Sequence, residues 1–480
     1  MIKDHYSRSS FLQSTPRLRV MTDSQIEEIH SAALDILSHI GMKLENEKAR
    51  EILHSNGAYI DGKVVYLPVK MVEKALRTVP SSFILYTRDG EPYIHVEGHN
   101  ANFGCNPDNP FYRDPYTGEM RKPTSLDAAN MGKLIDYLPH IDFINTCNFA
   151  FDVPEDIADR VNIRQYMFNL RKPICFSCKD SNALKDIIDM GAIAAGGHDK
   201  LRAHPYMFHI EEPVSPLTHD EVAIDCVMTC ADNEVPLVYF PMTMAGTTAP
   251  ATLAGLLAQS HAEILFGLVI HQLANPGAPF VYGAIPSIMD MQTTKFCYGA
   301  PEMWLCATAI AEIAHYFKLP IWGTAGPTDS KEVDQQCAAE LSFGILMAGL
   351  AGANLVHDIG LMDSANSYCP EIYVLSDELV SMAKVITKGI DINEETLALP
   401  EIEQSLTSGS FLCEDHTFRH FRSIWRPQYF DRTTKPEKDG DIFEKLNAKV
   451  KDVFENYQPV EFDPEKKKAI LELEKKWMHD

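Results

Sequence analysis

The sequence predicts an α/β protein built on a (β/α)8 TIM barrel, with an N-terminal α+β extension and a C-terminal helical and irregular extension. Three observations carry this. Eight short runs rich in β-branched and aromatic residues recur over about 290 residues, each followed by a helical stretch. Several runs are entered through proline (Pro173, Pro205, Pro236, Pro279 and Pro320), which ends an incoming helix and begins extended chain. The chain, 480 residues with 45% hydrophobic and 23% charged, suits one large soluble domain with additions. An open doubly wound sheet is the alternative arrangement of the same alternation.

In chain order, Thr22 and Gln25 form a capping-box pattern, followed by Ile26, Ile29, Ala33, Ile36, Leu37 and Ile40 at helical spacing up to Gly41. A second helix is expected over 46–54, then a strand VVYL, and Pro68 opens a third helix. SFILYT-RDGE-PYIHVEG reads as a hairpin turning on Asp89 and Gly90. This preface takes residues 1–98. The expected barrel, 99–390, has strands at ANFGCN, DFINTCNFAF, KPICFSCK, HPYMFHIE, PLVYFPM, PFVYGAI, LPIWGTA and ANLVHDIG. Its helices fall at roughly 125–138, 157–170, 182–196, 218–232, 252–274, 301–317, 334–350 and 370–388. In the remainder, 391–480, residues 466–479 read as a surface helix with Ile470, Leu473 and Trp477 on one side.

With 43 basic against 67 acidic residues the net charge is −24, which opposes binding to nucleic acid or an anionic membrane. The N-terminal residues hold no apolar signal core. The longest apolar stretch, 253–274, is interrupted by Gln259, His261, Glu263, His271 and Gln272, as in a buried helix rather than a bilayer span. A cytoplasmic protein is expected. Because that helix is apolar nearly all round, it should be covered, and a homo-oligomer is expected. The eleven cysteines should be reduced and packed. Cys175 and Cys178 sit three apart on a strand and so face opposite ways, and Cys226 and Cys230 have no second pair beside them. No metal site is expected.

The active site of such a barrel lies at the C-terminal ends of its strands. Those ends carry many aromatic and sulfur side chains, few neutral polar groups, and no HExxH or phosphate-cradling glycine loop. A ring of aromatic faces suits a quaternary ammonium group, which has no N–H to donate. The candidate cage is Phe149, Phe176, Phe208, Phe240, Tyr282 and Trp322. Phe240 and Met242 share one face of their strand, so inward parity would make them a wall of the cage. His357, beside Asp358 at a strand end, is the candidate catalytic residue, and Asp358 is assigned to the substrate site. Of Glu211 and Glu212 only one can enter the mouth, and Glu211 is the candidate. Asp329, Lys331 and Asp334 line the entrance or begin a solvated helix with Asp334 as N-cap. His416 and His420 have helical metal-pair spacing, but interleaved Arg419, Arg422 and Arg426 favour a charge network.

Several phrases then stand together in one order: EEPVSPL, MAGTTAPATLAG with QSHAEILFG, NPGAPFVYGAI with MDMQT, GAPEMW, TDSKEVDQQ and DHTFRHFRSIWRPQYFDR. From about residue 22 to 432 the chain resembles the trimethylamine methyltransferase family. The resemblance implies a TIM barrel that moves a methyl group to the cob(I)alamin of a small corrinoid protein. Founding members carry pyrrolysine in the barrel, whereas this chain holds only ordinary residues. The resemblance to pyrrolysine-free members therefore implies a quaternary amine: glycine betaine or a relative such as proline betaine or carnitine. His357 or loop amides would fix the substrate carboxylate. No cofactor would be tightly bound by this chain, the cob(I)alamin belonging to the cognate corrinoid protein, and Gly246, Thr247 and Thr248 would form the rim facing it. A non-catalytic quaternary-amine-binding barrel or corrinoid-protein scaffold is the alternative, as is a lyase or hydrolase using His357.

Overall fold

The computed structural model describes residues 16–432 and 441–477. Seven parallel strands form one sheet in the order Asn102–Cys105, Leu355–Ile359, Ile321–Thr324, Phe280–Gly283, Leu237–Tyr239, Met207–Glu211, Ile174–Phe176. The eighth run, DFINTCNFAF, is not a regular strand, yet it closes the sheet. Phe143 bridges Gly104 on one edge and Ile144 bridges Ile174 on the other, both parallel. The Ile144 amide donates to the Pro173 carbonyl at 3.1 Å, and the Cys175 amide donates to the Ile144 carbonyl at 2.8 Å. The run leaves the ladder where Asn145 turns its side-chain oxygen onto the Thr146 amide, 2.8 Å away. A barrel with one short stave results.

All eight barrel helices are present: Ser125–Tyr137, Ala158–Asn169, Ser181–Ala195, Glu221–Asn233, Leu253–Ala274, Pro301–Tyr316, Gln335–Ala351 and Pro370–Lys388. The fourth starts later than expected. Thr218 and His219 pair instead with Lys43 and Leu44 of the N-terminal extension, and Asp220 then caps the helix through the Ala223 amide.

The N-terminal elements follow the sequence closely. Thr22 and Gln25 make both halves of the capping box on Asp23–Asp35, and Glu47–Ser55 and Val69–Thr78 are the next helices. The hairpin Phe83–Tyr86 with Pro92–Val96 plugs the N-terminal end of the barrel. Its Tyr86 and Arg88 amides donate to Pro205 and Arg171, both just upstream of barrel strands. Leu85, Ile94 and Val96 join the barrel interior beneath Phe143, Phe208 and Trp322.

Leu253–Ala274 is long and apolar enough to cross a membrane, but 83% of its apolar window is buried within the protein. Its cover is this chain's own extension: Asp23–Asp35, Glu47–Ser55 and Val69–Thr78 all pack on it. The apolar helix therefore needs no sister subunit to cover it, which corrects the reason for expecting one. Most of its polar groups are partnered, His271 Nε2 being an exception. His261 Nδ1 lies 2.8 Å from the Tyr282 hydroxyl, Ser260 Oγ 2.7 Å from Thr243 Oγ1, and Glu263 accepts from Ser215 Oγ at 2.6 Å and the Leu217 amide at 2.9 Å. That last pair joins QSHAEILFG to EEPVSPL and holds the loop that follows Glu212.

Helix Ile442–Asn456 packs on Pro370–Lys388 and Ser125–Tyr137, and Pro464–Trp477 packs on Ser181–Ala195 with Ile470 fully buried. The expected end of that last helix, to His479, lies outside the described residues.

Candidate active site at the barrel mouth

Parity along each strand decides which side chains enter the barrel. Along Met207–Glu211, Phe208 and Ile210 join the barrel interior, while His209 and Glu211 face the helices, with His209 Nε2 3.2 Å from Glu211 Oε2. Glu212 continues the inward series and Glu211 does not, so Glu212 replaces Glu211 as the mouth carboxylate. The same rule removes two members of the expected cage. Phe176 packs with the outer core against His209, and the Tyr282 hydroxyl is held by His261 on the outer helix.

Phe240 and Met242 do face inward, Phe240 buried in the interior and Met242 packed against it. Below them Phe143, Phe208 and Trp322 form an aromatic floor, with ring centroids 5.4, 5.9 and 6.1 Å apart for the three pairs. Phe208 and Trp322 therefore support the site from beneath, and Phe240 is a wall. Phe149 stands on the rim, 42% exposed.

His357 and Asp358 are both buried at the end of Leu355–Ile359, where Asp358 takes a φ of +79° and bends the strand. Thr324 Oγ1 donates to Asp358 Oδ2 at 2.5 Å, and Asp358 Oδ1 lies 3.1 Å from His357 Nε2. His357 Nδ1 donates to the Gly323 carbonyl at 2.8 Å, which fixes the proton on Nδ1 and leaves a lone pair on Nε2. Burial lowers the His357 pKa and raises that of Asp358. Burial thus favours the uncharged imidazole, held through Nδ1, while Nε2 makes no hydrogen bond. A neutral, hydrogen-bonded imidazole is no cation for a substrate carboxylate, so that expected role of His357 is withdrawn.

Two further carboxylates converge on the mouth. Asp108, at φ +40° in the loop after Asn102–Cys105, accepts from Ser177 Oγ at 2.6 Å, and burial raises its pKa to about 6. Glu212 is raised to about 7, first by crowding of protein around it and then by the charges of Glu211 and Asp108. Its side chain still reaches free space, so it lines the opening rather than the core. Buried Tyr298 stands within electrostatic reach of Asp358 and Glu212. Asp108 and Tyr298 were not singled out from the sequence, because loop residues carry no parity. Asp329 accepts from the Tyr298 and Gly299 amides and ties two loops together. Asp334 is the N-cap of Gln335–Ala351.

Gly246, Thr247 and Thr248 lie on the loop above Phe240. Their amides are used within the loop, donating to Ala249 and Met244 carbonyls, which leaves only its outer surface for a partner. His416 and His420 meet a third group, Glu395, but Glu395 also holds Arg419 at 3.0 Å, as the charge network requires. Elsewhere, one member of each unpaired cysteine pair meets the other: Cys178 and Cys226 converge with His209.

Fold and site together define a TIM-barrel protein whose mouth is aromatic below and acidic around. The model of the trimethylamine methyltransferase family (MTTB) matches residues 3–478, and the chain belongs to that family. It is a methyltransferase. It is 31% identical to trimethylamine methyltransferase MttB of Desulfitobacterium hafniense over 94% of this chain and 92% of the relative. It is 30% identical to the glycine betaine methyltransferase of the same species, strain Y51, over 94% and 96%. Monomethylamine methyltransferase (MtmB) of Methanosarcina barkeri shares the fold with TM-score 0.50 at 12% identity, covering 92% of this chain and 88% of that one.

Proposed function

We propose that the chain transfers a methyl group from a quaternary amine, glycine betaine or a relative such as proline betaine or carnitine, to the cob(I)alamin of a cognate corrinoid protein. The observation that carries this is the mouth itself: Phe240 and Met242 over an aromatic floor, flanked by Asp108 and Glu212. Aromatic faces and carboxylates attract a permanent cation that has no proton to give. The likeness to a glycine betaine methyltransferase supports the same reading.

The docked corrinoid supplies the nucleophile that takes the methyl group. The C–N electron pair stays on nitrogen, so a neutral tertiary amine leaves and no general acid is needed. The chain's task is to hold one methyl group outward. Acidic walls draw the ammonium head inward and press a betaine carboxylate toward the rim, where Lys295 and Lys331 converge on Asp363 at 3.8 and 3.7 Å. The strand-end face bears apolar side chains in the open, Phe149, Phe151, Val214 and Met291, beside the exposed Gly246 and Thr247. These fit a docking protein better than bare solvent. On the C-terminal arm, Leu406 and Leu412, 87% and 81% exposed, support a second copy of the chain as their cover, to be checked by light scattering.

Incubation with reduced cognate corrinoid protein and a panel of betaines tests the reading. Formation of the tertiary amine and methylated corrinoid is expected with one quaternary amine. Tight binding without demethylation would instead favour a non-catalytic binding barrel or a corrinoid-protein scaffold.

A further inference from the structure

Cys178, His209 and Cys226 come from three separate elements of the barrel wall, remote in sequence, and meet on its outer side. Cys178 follows strand Ile174–Phe176, His209 faces outward from Met207–Glu211, and Cys226 lies on helix Glu221–Asn233. Their ligand atoms all lie within 4.8 Å of one another. We propose that these three residues bind a thiophilic divalent cation, zinc being the ion whose preferences they match.

The donor set is two sulfurs and one imidazole nitrogen, which is a zinc set rather than a magnesium or calcium one. The imidazole is prepared for it. His209 is fully buried, and its Nδ1 has no hydrogen-bond partner, whereas its Nε2 lies 3.2 Å from Glu211 Oε2. A proton on Nε2, given to Glu211, leaves the Nδ1 lone pair free, which is the carboxylate–histidine arrangement found behind zinc-ligating histidines. Charge also balances. Binding releases the two thiol protons, and two thiolates with one divalent cation sum to zero, which a buried site tolerates. Cys226 and Cys230 share a helix face, but Cys230 lies outside the cluster. Cys175 points into the barrel, opposite to Cys178. Cys178 is only partly buried, giving the ion a path in and a water room to complete a tetrahedron. Because the strand carrying His209 outward also leads to Glu212 in the mouth, the ion would pin the wall behind the acidic opening.

The test uses the full purified chain, reduced and treated with a weak chelator resin, then assayed for zinc by mass spectrometry. About one equivalent per chain is expected. Cobalt(II) substitution should give thiolate-to-metal charge-transfer absorption and strong tetrahedral visible bands. Cys178→Ser, at a partly exposed position, should lose both the ion and the absorption while keeping its thermal melt without zinc. Cys175→Ser and Cys230→Ser should keep both. The inference is overturned if wild type retains no more zinc than Cys178→Ser, or if the reduced protein takes up cobalt without thiolate bands. A Cys178–Cys226 disulfide in a chain that refuses metal after reduction would overturn it as well. These readouts are independent of methyl transfer.

Discussion

His357 lies flat against Trp322, with ring centroids 4.2 Å apart and planes inclined by 29°. Its Nδ1 is committed to the Gly323 carbonyl, and Asp358 Oδ1 lies 3.1 Å from its Nε2. His357 is thus the top layer of the aromatic floor. Asp358→Asn should be tolerated, since the amide oxygen still accepts from Thr324 and Asn accepts the positive φ. Asp358→Ala should destabilise by about 1–3 kcal/mol by leaving the buried Thr324 hydroxyl unpaired. Denaturant unfolding separates the two. Equal damage from both variants would show that the carboxyl group itself, not its hydrogen bond to Thr324, matters.

Affinity for a permanent cation should depend on pH through Glu212 and Asp108. Their pKa values in the free protein are raised to about 7 and about 6, from ordinary values of 4.5 and 3.8. Both are therefore protonated near pH 5 and ionised by pH 8. Since the cation prefers ionised partners, binding should weaken as pH falls through 7 and then 6, and binding near pH 6.5 should release protons. The stability sign is opposite. The folded chain holds protons that the unfolded chain has already lost, so unliganded stability falls as pH rises from about 4 to 7. Calorimetry in buffers of different ionisation enthalpy checks the proton release. Glu212→Gln should remove the upper step, whereas Glu211→Gln should keep it and move it to lower pH, since the Glu211 charge helps raise the Glu212 pKa.

Phe240 offers the clearest test of the aromatic wall, because Leu fills much of the same space without a π face. Phe240→Leu should weaken binding of a quaternary amine by about 5- to 30-fold, the size of one partly desolvated cation–π contact. Affinity for the neutral analogue with carbon in place of nitrogen should change little. An equal loss for both ligands would mean that shape, not charge, recognises the substrate.

The alternation of strands and helices was legible because each unit repeats the same physics: a buried β-branched run, a proline or cap, an apolar helix. Inward parity of Phe240 and Met242 followed from strand spacing, with only its sign open. Three things were not legible. The sign of parity at Glu211 and Glu212 depends on where the strand meets its neighbours, and no local residue reports it. Tyr282 and Phe176 read as cage members because aromatics suit either face of a strand buried on both sides. Cys178, His209 and Cys226 lie 31 and 17 residues apart along the sequence, and only the folded wall brings them together. The cover of Leu253–Ala274 was misread for a related reason, since apolarity says that a helix is covered but not by what.

Closure of the barrel rests on a narrow seam, and that gives the last prediction. Within the sheet the short stave meets its neighbours through Phe143 to Gly104 and Ile144 to Ile174, and beyond it Asn148 bridges Asn109. The Phe143 ring crosses the place where residue 104 would carry a side chain: a Cβ there would lie 2.2 Å from the ring. Glycine at 104 is thus required by the close approach rather than by a special backbone angle. Gly104→Ala must push Phe143 off the seam, and Phe143 also packs edge-on to Phe208 at 5.4 Å. The expected cost is about 1–3 kcal/mol, the usual range for overpacking. Gly57→Ala, where nothing lies within 4 Å of the added Cβ but φ is +102°, controls for backbone strain alone. Thermal unfolding with and without a quaternary amine checks both variants. Gly104→Ala should lower the melting temperature and blunt the ligand's stabilising effect, because the floor beneath Phe240 moves with Phe143. Gly57→Ala should lower the melting temperature without changing the ligand's effect. Should Gly104→Ala melt like wild type, the seam would be looser than its geometry states.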